Sequence, residues 1–227
     1  MPGLPDLTGD PTTAIAALVA ALALSSASGL RAYLPLLALV VGHSIDPTDI
    51  KLSRPFQDLT QQIGAPWIIA VLAVLVVGEM TIDKVPVLDH ASDAFHTIVR
   101  PLSGAIIMAA ISNPISDQNI WAAAVIGAVL ALGVHATKAT ARPAVTLTTA
   151  GIGNPAVSFV EDALVVITSV LALIAPFIAI LLVIIVALAL ARIVYAAVKK
   201  YRELRQRPPA PVGGGGGTTI PFGGGPA

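Results

Sequence analysis

The sequence predicts an all-α protein that crosses a membrane several times, and three observations support this fold class. Hydrophobic residues make up 56% of the chain and charged residues only 11%, whereas a soluble domain carries about a quarter charged residues. The mean hydropathy is +0.85. Several apolar stretches approach the ~20 residues that a helix needs to cross a bilayer. We therefore expect about four to six membrane segments, with the lipid bilayer as the main partner.

The lengths of these stretches do not fit simple crossings. The first, at about residues 12–42, is too long for one untilted span and too short for two. Because Gly29 and Arg31 interrupt it, we expect a broken helix or a span followed by a half-helix. The stretch at 101–112 is too short to cross, and it predicts a re-entrant half-helix. An interfacial helix that ends at Pro101 should precede it.

The remaining apolar stretches predict further spans at about 66–85 and 120–141, each beginning near a tryptophan, a residue typical of the membrane interface. A polar connection at 43–66 is long enough for a surface helix. The long apolar run at 163–198 is broken at Pro176, which predicts a shorter helix followed by a full span.

Composition divides the chain into four regions. Residues 1–11 form a polar, proline-rich lead-in without Lys or Arg, and 12–198 form the membrane domain. Because a signal peptide needs a basic start, the first apolar run is expected to be retained as a helix. Residues 199–207 are basic, which predicts a cytoplasmic C-terminus. The Gly/Pro-rich tail at 208–227 has little to bury and is expected to be disordered.

Ionisable residues within the apolar spans are the informative chemical feature, because a charge inside a membrane is costly unless it is paired or hydrated. Glu79 and Asp83 are four residues apart and share one helix face. His135, Lys138 and Arg142 share one face of a later span. The hypothesis is that the acidic and basic faces meet inside the bundle. The alternative is that these residues mark membrane boundaries, with their charged ends reaching into water.

A third polar group is formed by Ser158, Glu161 and Asp162. The spacing of Ser158 and Glu161 is that of a capping box, in which both side chains bond free backbone N–H groups at a helix start. The alternative is that the carboxylates face a cavity within the membrane, with Arg31 as their partner.

Several classes of function are disfavoured. The chain has no cysteine, which excludes disulfides and thiolate metal sites, and its formal net charge of zero gives no indication of nucleic-acid binding. No phosphate-binding loop, zinc-protease motif or nucleophile elbow is present. We therefore predict no catalytic residues, no cofactor and no metal site. His90 and His96 are expected to lie on the polar interfacial helix rather than to bind a metal.

An internal repeat is a further hypothesis. Aligning Arg31 with Lys138 places a cation-bearing helix before a carboxylate-bearing helix in each half of the chain. Transporters often consist of two related halves with broken helices near the membrane centre.

Five elements occur in a fixed order: SGLRAYLPLL, E-x-x-x-D-K-x-P-x-x-D from Glu79 to Asp89, RPLSGA, HATKATAR and GIGNPAVSFVEDA. Together they resemble a bacterial membrane family known as domain of unknown function 4126, over about residues 12–176. The resemblance implies a multi-pass protein of the bacterial inner membrane without an established activity, and it leaves the final span outside the family. It also emphasises a set of polar positions: Arg31, Glu79, Asp83, Lys84, His135, Lys138, Arg142, Asn154, Ser158, Glu161 and Asp162.

Three functions are compatible with these patterns. The first is a small transporter or permease for an ion or solute, whose intramembrane site is formed by the following residues: Arg31, Glu79, Asp83, His135, Lys138, Arg142, Ser158, Glu161 and Asp162. The second is a membrane scaffold or accessory subunit whose ion pairs fix the helices in register. The third is an intramembrane enzyme that modifies lipids. Small residues along the spans permit helix packing within one chain, in a homo-oligomer or with another membrane protein.

Overall fold

The computed structural model describes residues 11–45, 51–82, 86–111, 113, 115–149 and 154–206. Within these ranges it forms eight helices: α1 (Pro11–Ala27), α2 (Tyr33–Ile45), α3 (Arg54–Ile63), α4 (Ala65–Ile82), α5 (Pro86–Ala110), α6 (Ile120–Thr149), α7 (Asn154–Ile174) and α8 (Pro176–Gln206). The only β-type pairing in the described part is an isolated bridge between Leu52 and Ile111. The predicted all-α class is therefore confirmed. Residues 1–10 of the lead-in expected at 1–11 lie outside the described residues, as does the tail expected at 208–227, and Pro11 is the first residue of α1.

Four helical segments are long and apolar enough to cross a membrane: Ala65–Ile82, Ile120–Ala141, Ala156–Ile174 and Pro176–Ala196. Three shorter apolar segments accompany them: Pro11–Ala27, Tyr33–Ile45 and Phe95–Ala110. The outer faces of the spans expose large apolar side chains, for example Val74 at 72% and Leu188 at 61%. Such faces suit lipid rather than water. The protein is a polytopic helical membrane protein.

One end of the bundle is defined by contacts around α3. The Ser53 backbone N–H donates to the Ala110 carbonyl at 2.7 Å, next to the Leu52–Ile111 bridge. A cavity brings Ile111 together with Thr12 at the start of α1 and with the start of α8. We call this the α3 end. The opposite end holds the last residues of α4 and the C-terminus of α8, and we call it the C-terminal end.

The first two helices form a re-entrant hairpin. From the α3 end, the 17 residues of α1 rise about 25 Å. If α2 continued in that direction, its end at Ile45 would lie roughly 45 Å from the α3 end. Leu52 nevertheless lies at the α3 end, and the intervening chain can span at most about 25 Å. Helix α2 must therefore return toward the α3 end, with residues 28–32 as the hairpin tip.

The hairpin confirms the predicted break in the first apolar stretch. The break at Pro176 is also confirmed, since α7 ends at Ile174 and α8 begins at Pro176. A surface helix in the polar connection is confirmed by α3. The aligned cations of the hypothetical repeat lie in different settings: α6 runs without interruption through Lys138, whereas α1 ends before Arg31.

The prediction for 101–112 is wrong, because α5 continues through Pro101 to Ala110 as one helix. The proline removes one backbone donor, yet membrane helices tolerate this loss where neighbouring helices support the chain. Within the described residues, the interface between α5 and α6 is the most extensive contact between two helices. The re-entrant element of the fold is the α1–α2 hairpin and not α5.

Two glycines allow the close approach of α5 and α6. A Cβ atom on Gly104 would lie 2.5 Å from the Gly127 carbonyl oxygen, and one on Gly127 would lie 2.6 Å from Cβ of Met108. Small residues of this kind let membrane helices pack backbone to backbone. The α5–α6 contact fixes the depth at which the polar residues of both helices face the hairpin tip.

We expect Gly127→Ala to destabilise the protein by about 1–3 kcal/mol, because the added methyl group must push α5 away from α6. Thermal unfolding in detergent measures the effect. Gly133→Ala on the same helix is the matched control, since a Cβ there meets nothing within 4 Å. That change should be neutral or slightly stabilising. Equal unfolding temperatures for the two variants would contradict the close approach.

Candidate functional site

The hairpin tip interrupts the helical hydrogen bonds, which leaves the first N–H groups of α2 and the last carbonyl groups of α1 in need of partners. Ser28 Oγ donates to the Ser25 carbonyl at 2.7 Å, and Arg31 N–H to the Ala27 carbonyl at 3.3 Å. Gly29 packs against α6 so closely that a Cβ atom would meet the Ala131 carbonyl oxygen. The tip is thus buried at the level of the α6 polar residues.

Glu79 of α4 satisfies the start of α2. Its two carboxylate oxygens each accept from the Ala32 N–H at 3.0 Å, and Oε2 also accepts from the Tyr33 N–H at 3.4 Å. A carboxylate at a helix N-terminus is favoured by both the free N–H groups and the helix dipole. Glu79 therefore acts as an N-terminal cap supplied by a different helix.

Two cations, Lys138 and Arg31, lie near the C-terminus of α1. Lys138 Nζ donates to the Leu30 carbonyl at 3.2 Å and lies 2.8 Å from Glu161 Oε2 of α7. Arg31, on the tip itself, lies 2.6 Å from Asp162 Oδ1 and donates to Ser158 Oγ at 2.8 Å. Positive charges are favourable at a helix C-terminus. Two ion pairs thus join the hairpin tip and α6 to α7.

Arg100 of α5 connects Glu79 to α6. Its Nη2 lies 3.6 Å from Glu79 Oε1, and its Nη1 lies 2.7 Å from His135 Nδ1. An arginine can only donate, so His135 Nδ1 must be the accepting nitrogen of a neutral imidazole. The proton is then on Nε2, which lies 3.2 Å from Thr97 Oγ1. His96 Nε2 also approaches Glu79 Oε1, at 3.5 Å.

We call these residues together the hairpin-tip cluster: Arg31, Glu79, His96, Arg100, His135, Lys138, Ser158, Glu161 and Asp162. Each is at most 8% exposed. Within it, three cations balance three carboxylates, so the cluster as a whole is neutral. Pairing of this kind offsets much of the cost of burying charge. The described residues contain no group of three or more His, Cys, Asp or Glu that could hold a metal ion.

Most of the residues singled out by sequence meet here: Arg31, Glu79, His135, Lys138, Ser158, Glu161 and Asp162. Asp83 lies outside the described residues, and the side chain of Arg142 is not among those described. The boundary interpretation does not hold for Glu79 or Lys138, which are 3% and 1% exposed.

The predicted meeting of the acidic and basic faces takes an indirect form at Glu79, because Arg100 lies between Glu79 and His135. Lys138 pairs with Glu161 and not with Glu79. A pairing of Asp83 with the basic face lies outside the described residues. The capping box fails because α7 begins at Asn154. Ser158 is therefore already inside the helix, and its hydroxyl accepts from Arg31. The alternative, in which Arg31 is the partner of an α7 carboxylate, agrees with the Arg31–Asp162 ion pair.

Sequence reasoning missed Arg100 and misplaced His96, which is 4% exposed rather than solvated on an interfacial helix. The polar composition before Pro101 predicts an interfacial helix, which would leave both side chains in water. The spacing of His96 and Arg100 could have indicated their position, because residues four apart share one helix face. That face, continued toward Gly104, is the one that packs in the bundle.

Comparison with known proteins gives one result on the family. The family model for a domain of unknown function, DUF4126, matches residues 18–196. The match extends through the membrane-spanning part of α8, so the expectation that the final span lies outside the family is wrong. No curated protein and no solved structure matches the chain. Because the matched residues make up well over half of the chain, the protein belongs to the DUF4126 family.

Proposed function

We propose that this protein is a small membrane transporter and that the hairpin-tip cluster is its proton-coupling site. The observation that supports the proposal is the convergence of six buried charges from α4, α5, α6, α7 and the hairpin on the tip of a re-entrant helix. Ionisable residues inside a membrane domain commonly mark proton or ion pathways. Interrupted helices with exposed backbone groups are the usual setting of transporter binding sites.

Protonation has a direct mechanical consequence in this geometry. A neutral Glu161 would release Lys138, which also holds the Leu30 carbonyl of the tip. A neutral Glu79 would withdraw the anion from the N-terminus of α2 and from Arg100. Either event weakens the attachment of the tip to one neighbouring helix. Proton binding could then shift the hairpin between two positions, which is the coupling that a transporter needs.

We expect the purified chain in liposomes to take up protons when a potassium diffusion potential drives them inward. Glu79→Gln and Glu161→Gln should each lower the initial rate at least about tenfold, because an amide cannot carry the proton. A trapped pH-sensitive dye measures the rate. Asp58→Asn is the matched control, since this carboxylate lies exposed on α3. Unchanged rates in both glutamate variants, with intact gel-filtration profiles, would contradict the proposal.

A membrane scaffold is the second candidate, and the neutrality of the cluster favours it. The Arg31–Asp162 and Lys138–Glu161 pairs each join one cation to one carboxylate, and Glu79 and Lys138 bind the backbone groups at the tip. Buried pairs of this kind can specify geometry without any transport. In that case the chain should bind a partner in mild detergent, and deletion of 199–227 should abolish the binding.

We further infer that the protein lies in a bacterial inner membrane with its C-terminus in the cytoplasm. Basic residues such as Lys199 and Arg202 follow the last span, and such residues remain on the cytoplasmic side. Under this orientation the α3 end faces outward, and the hairpin enters the membrane from the outside.

A further inference from the structure

Two cavities lie in sequence along the interface of α1, α7 and α8. The first, about 420 Å³, opens near the α3 end and is lined by Thr12 to Leu24 of α1, by Ala172 to Ile174 of α7 and by the start of α8. The second, about 100 Å³, is lined by residues within Ser26–Leu30 of α1 and the hairpin tip, Leu164–Thr168 of α7 and Val183–Leu190 of α8, and by Gly133, Val134 and Thr137 of α6. We call them the vestibule and the inner cavity.

The order of the lining residues shows that the two cavities follow one another along the length of the bundle. Along α1 the vestibule precedes the inner cavity, along α7 it follows, and along α8 it precedes again. These orders match the alternating directions of the three helices. The inner cavity ends at Leu30, whose carbonyl accepts from Lys138. The vestibule and the inner cavity therefore extend, one after the other, from the α3 end to the hairpin-tip cluster.

A short apolar constriction separates the cavities. Leu24 is the deepest α1 residue of the vestibule and is completely buried, in a cluster with Ala172 and Ala179. The constriction is on the order of one helical turn thick, ~5 Å. Of these three residues only Leu24 has a side chain larger than a methyl group, so we expect Leu24→Ala to connect the two cavities.

One polar atom at this constriction has no partner. Ser169 is 1% exposed, and its hydroxyl forms no hydrogen bond within the described part of the chain. Helical spacing places it on the face of α7 that carries Val165 and Ala172, which line the inner cavity and the vestibule. Buried hydroxyl groups normally find a partner. A molecule that passes between the cavities would offer one.

The lining identifies the class of solute. None of the residues that line either cavity is Asp, Glu, Lys or Arg. The polar lining consists of hydroxyl groups, at Thr12 and Thr13 in the vestibule and at Ser26, Thr137 and Thr168 in the inner cavity. An ion would lose its hydration without compensation in such a passage. The passage therefore suits a small uncharged molecule with few hydrogen-bonding groups.

We propose that the α1–α7–α8 interface is the solute pathway, closed at Leu24 and selective for small uncharged solutes. This rests on the proposed transport function, because it assigns the substrate class and route that the proton-coupling cluster would serve. The cluster then contributes coupling at the inner end of the route, and the passage itself carries no charge.

Thiol labelling tests the route directly, since the chain has no cysteine of its own. A small uncharged thiol reagent of low membrane permeability, added on the α3 side of vesicles, should modify Ala16→Cys and leave Thr168→Cys largely unmodified. Adding Leu24→Ala should raise the labelling rate of Thr168→Cys at least about tenfold. Ala123→Cys is the control, because Ala123 is fully buried in α6 and lines neither cavity.

Three results would overturn the pathway: an unreactive Ala16→Cys, a Thr168→Cys that stays unreactive with Leu24→Ala, or equal acceleration at Ala123→Cys. Thiol labelling measures access to the two cavities, whereas the dye assay measures proton uptake, so the two proposals can fail separately. If the labelling follows the expected pattern while the glutamate variants keep full proton uptake, the coupling function fails and the pathway stands.

Solute selectivity has its own measurement. Vesicles that contain the Leu24→Ala chain should swell faster in glycerol than vesicles with the unchanged chain, by stopped-flow light scattering. Sodium leakage should be the same in both. A parallel rise in sodium leakage would overturn the uncharged class, and an unchanged glycerol rate would overturn the closure at Leu24.

Discussion

Replacing Lys138 by Met should destabilise the protein by about 3–5 kcal/mol, and the additional change Glu161→Gln should restore most of that loss. Lys138 Nζ lies 2.8 Å from Glu161 Oε2, and both side chains are buried. The single change leaves a carboxylate without its cation, which is the costly event, whereas the double change removes both charges. The same reasoning applies to Glu161→Gln alone. Thermal unfolding in detergent is measured for the unchanged chain, the two single variants and the double variant, and the four values give the coupling energy of the cycle.

Arg192→Met is the control for this cycle, because Arg192 is an exposed cation in the membrane-spanning part of α8. Its removal should change the unfolding temperature little. Additive effects of Lys138→Met and Glu161→Gln would show that the two groups are not coupled. Rescue of Lys138→Met by Glu79→Gln instead would restore the pairing that the sequence alone suggested.

The local features of the fold could be predicted from the sequence, because each follows from a short segment. Gly29 and Arg31 interrupt an apolar run whose length fits no simple crossing, and Pro176 divides the last apolar run. These signals depend on residues within one or two helical turns. The same kind of local rule failed at Pro101, where the close packing of Gly104 on Gly127 keeps the helix continuous.

The pairing of the charges could not be predicted in the same way. Helical spacing shows which residues share a face of one helix, but it does not show which helices are neighbours. The α1–α2 hairpin determines which helices are neighbours around the cluster. Because α2 turns back, the tip places Arg31 beside Asp162 and the α2 N-terminus beside Glu79. Arg100 then fills the space between Glu79 and His135. A re-entrant turn is a long-range property, and the sequence indicated only that a break exists.

The second large effect is expected at Glu79, where the amide and alanine variants should be almost equally damaging. Four groups approach the Glu79 carboxylate, and three of them are obligate donors: the Ala32 and Tyr33 N–H groups and the Arg100 guanidinium. In Glu79→Gln, the new NH₂ group must face one of these donors. The variant therefore loses the charge and creates a donor–donor contact. Each lost bond to a charged group costs about 1.5–3 kcal/mol.

The consequence should be local to the hairpin tip. Because the first N–H groups of α2 lose their acceptor, their hydrogen exchange should accelerate at least about tenfold in Glu79→Gln. Mass spectrometry of a peptide covering the tip and the first turn of α2 measures this exchange. Thr81→Val, two residues further along the same helix, is the matched control, since Thr81 is exposed and its hydroxyl donates to the Val77 carbonyl of α4 itself. Exchange at the tip should be unchanged there.

Peptides from α3 provide the internal reference, because α3 lies at the opposite end of the hairpin from Glu79. Equal acceleration in α3 and in the tip would indicate global unfolding, and Glu79 would then be a general stability residue rather than the cap of α2. No acceleration in either region would show that the carboxylate does not hold the tip. Faster exchange confined to the tip would establish that one carboxylate of α4 keeps the re-entrant hairpin closed. The step at which a proton could open it would then be located at Glu79.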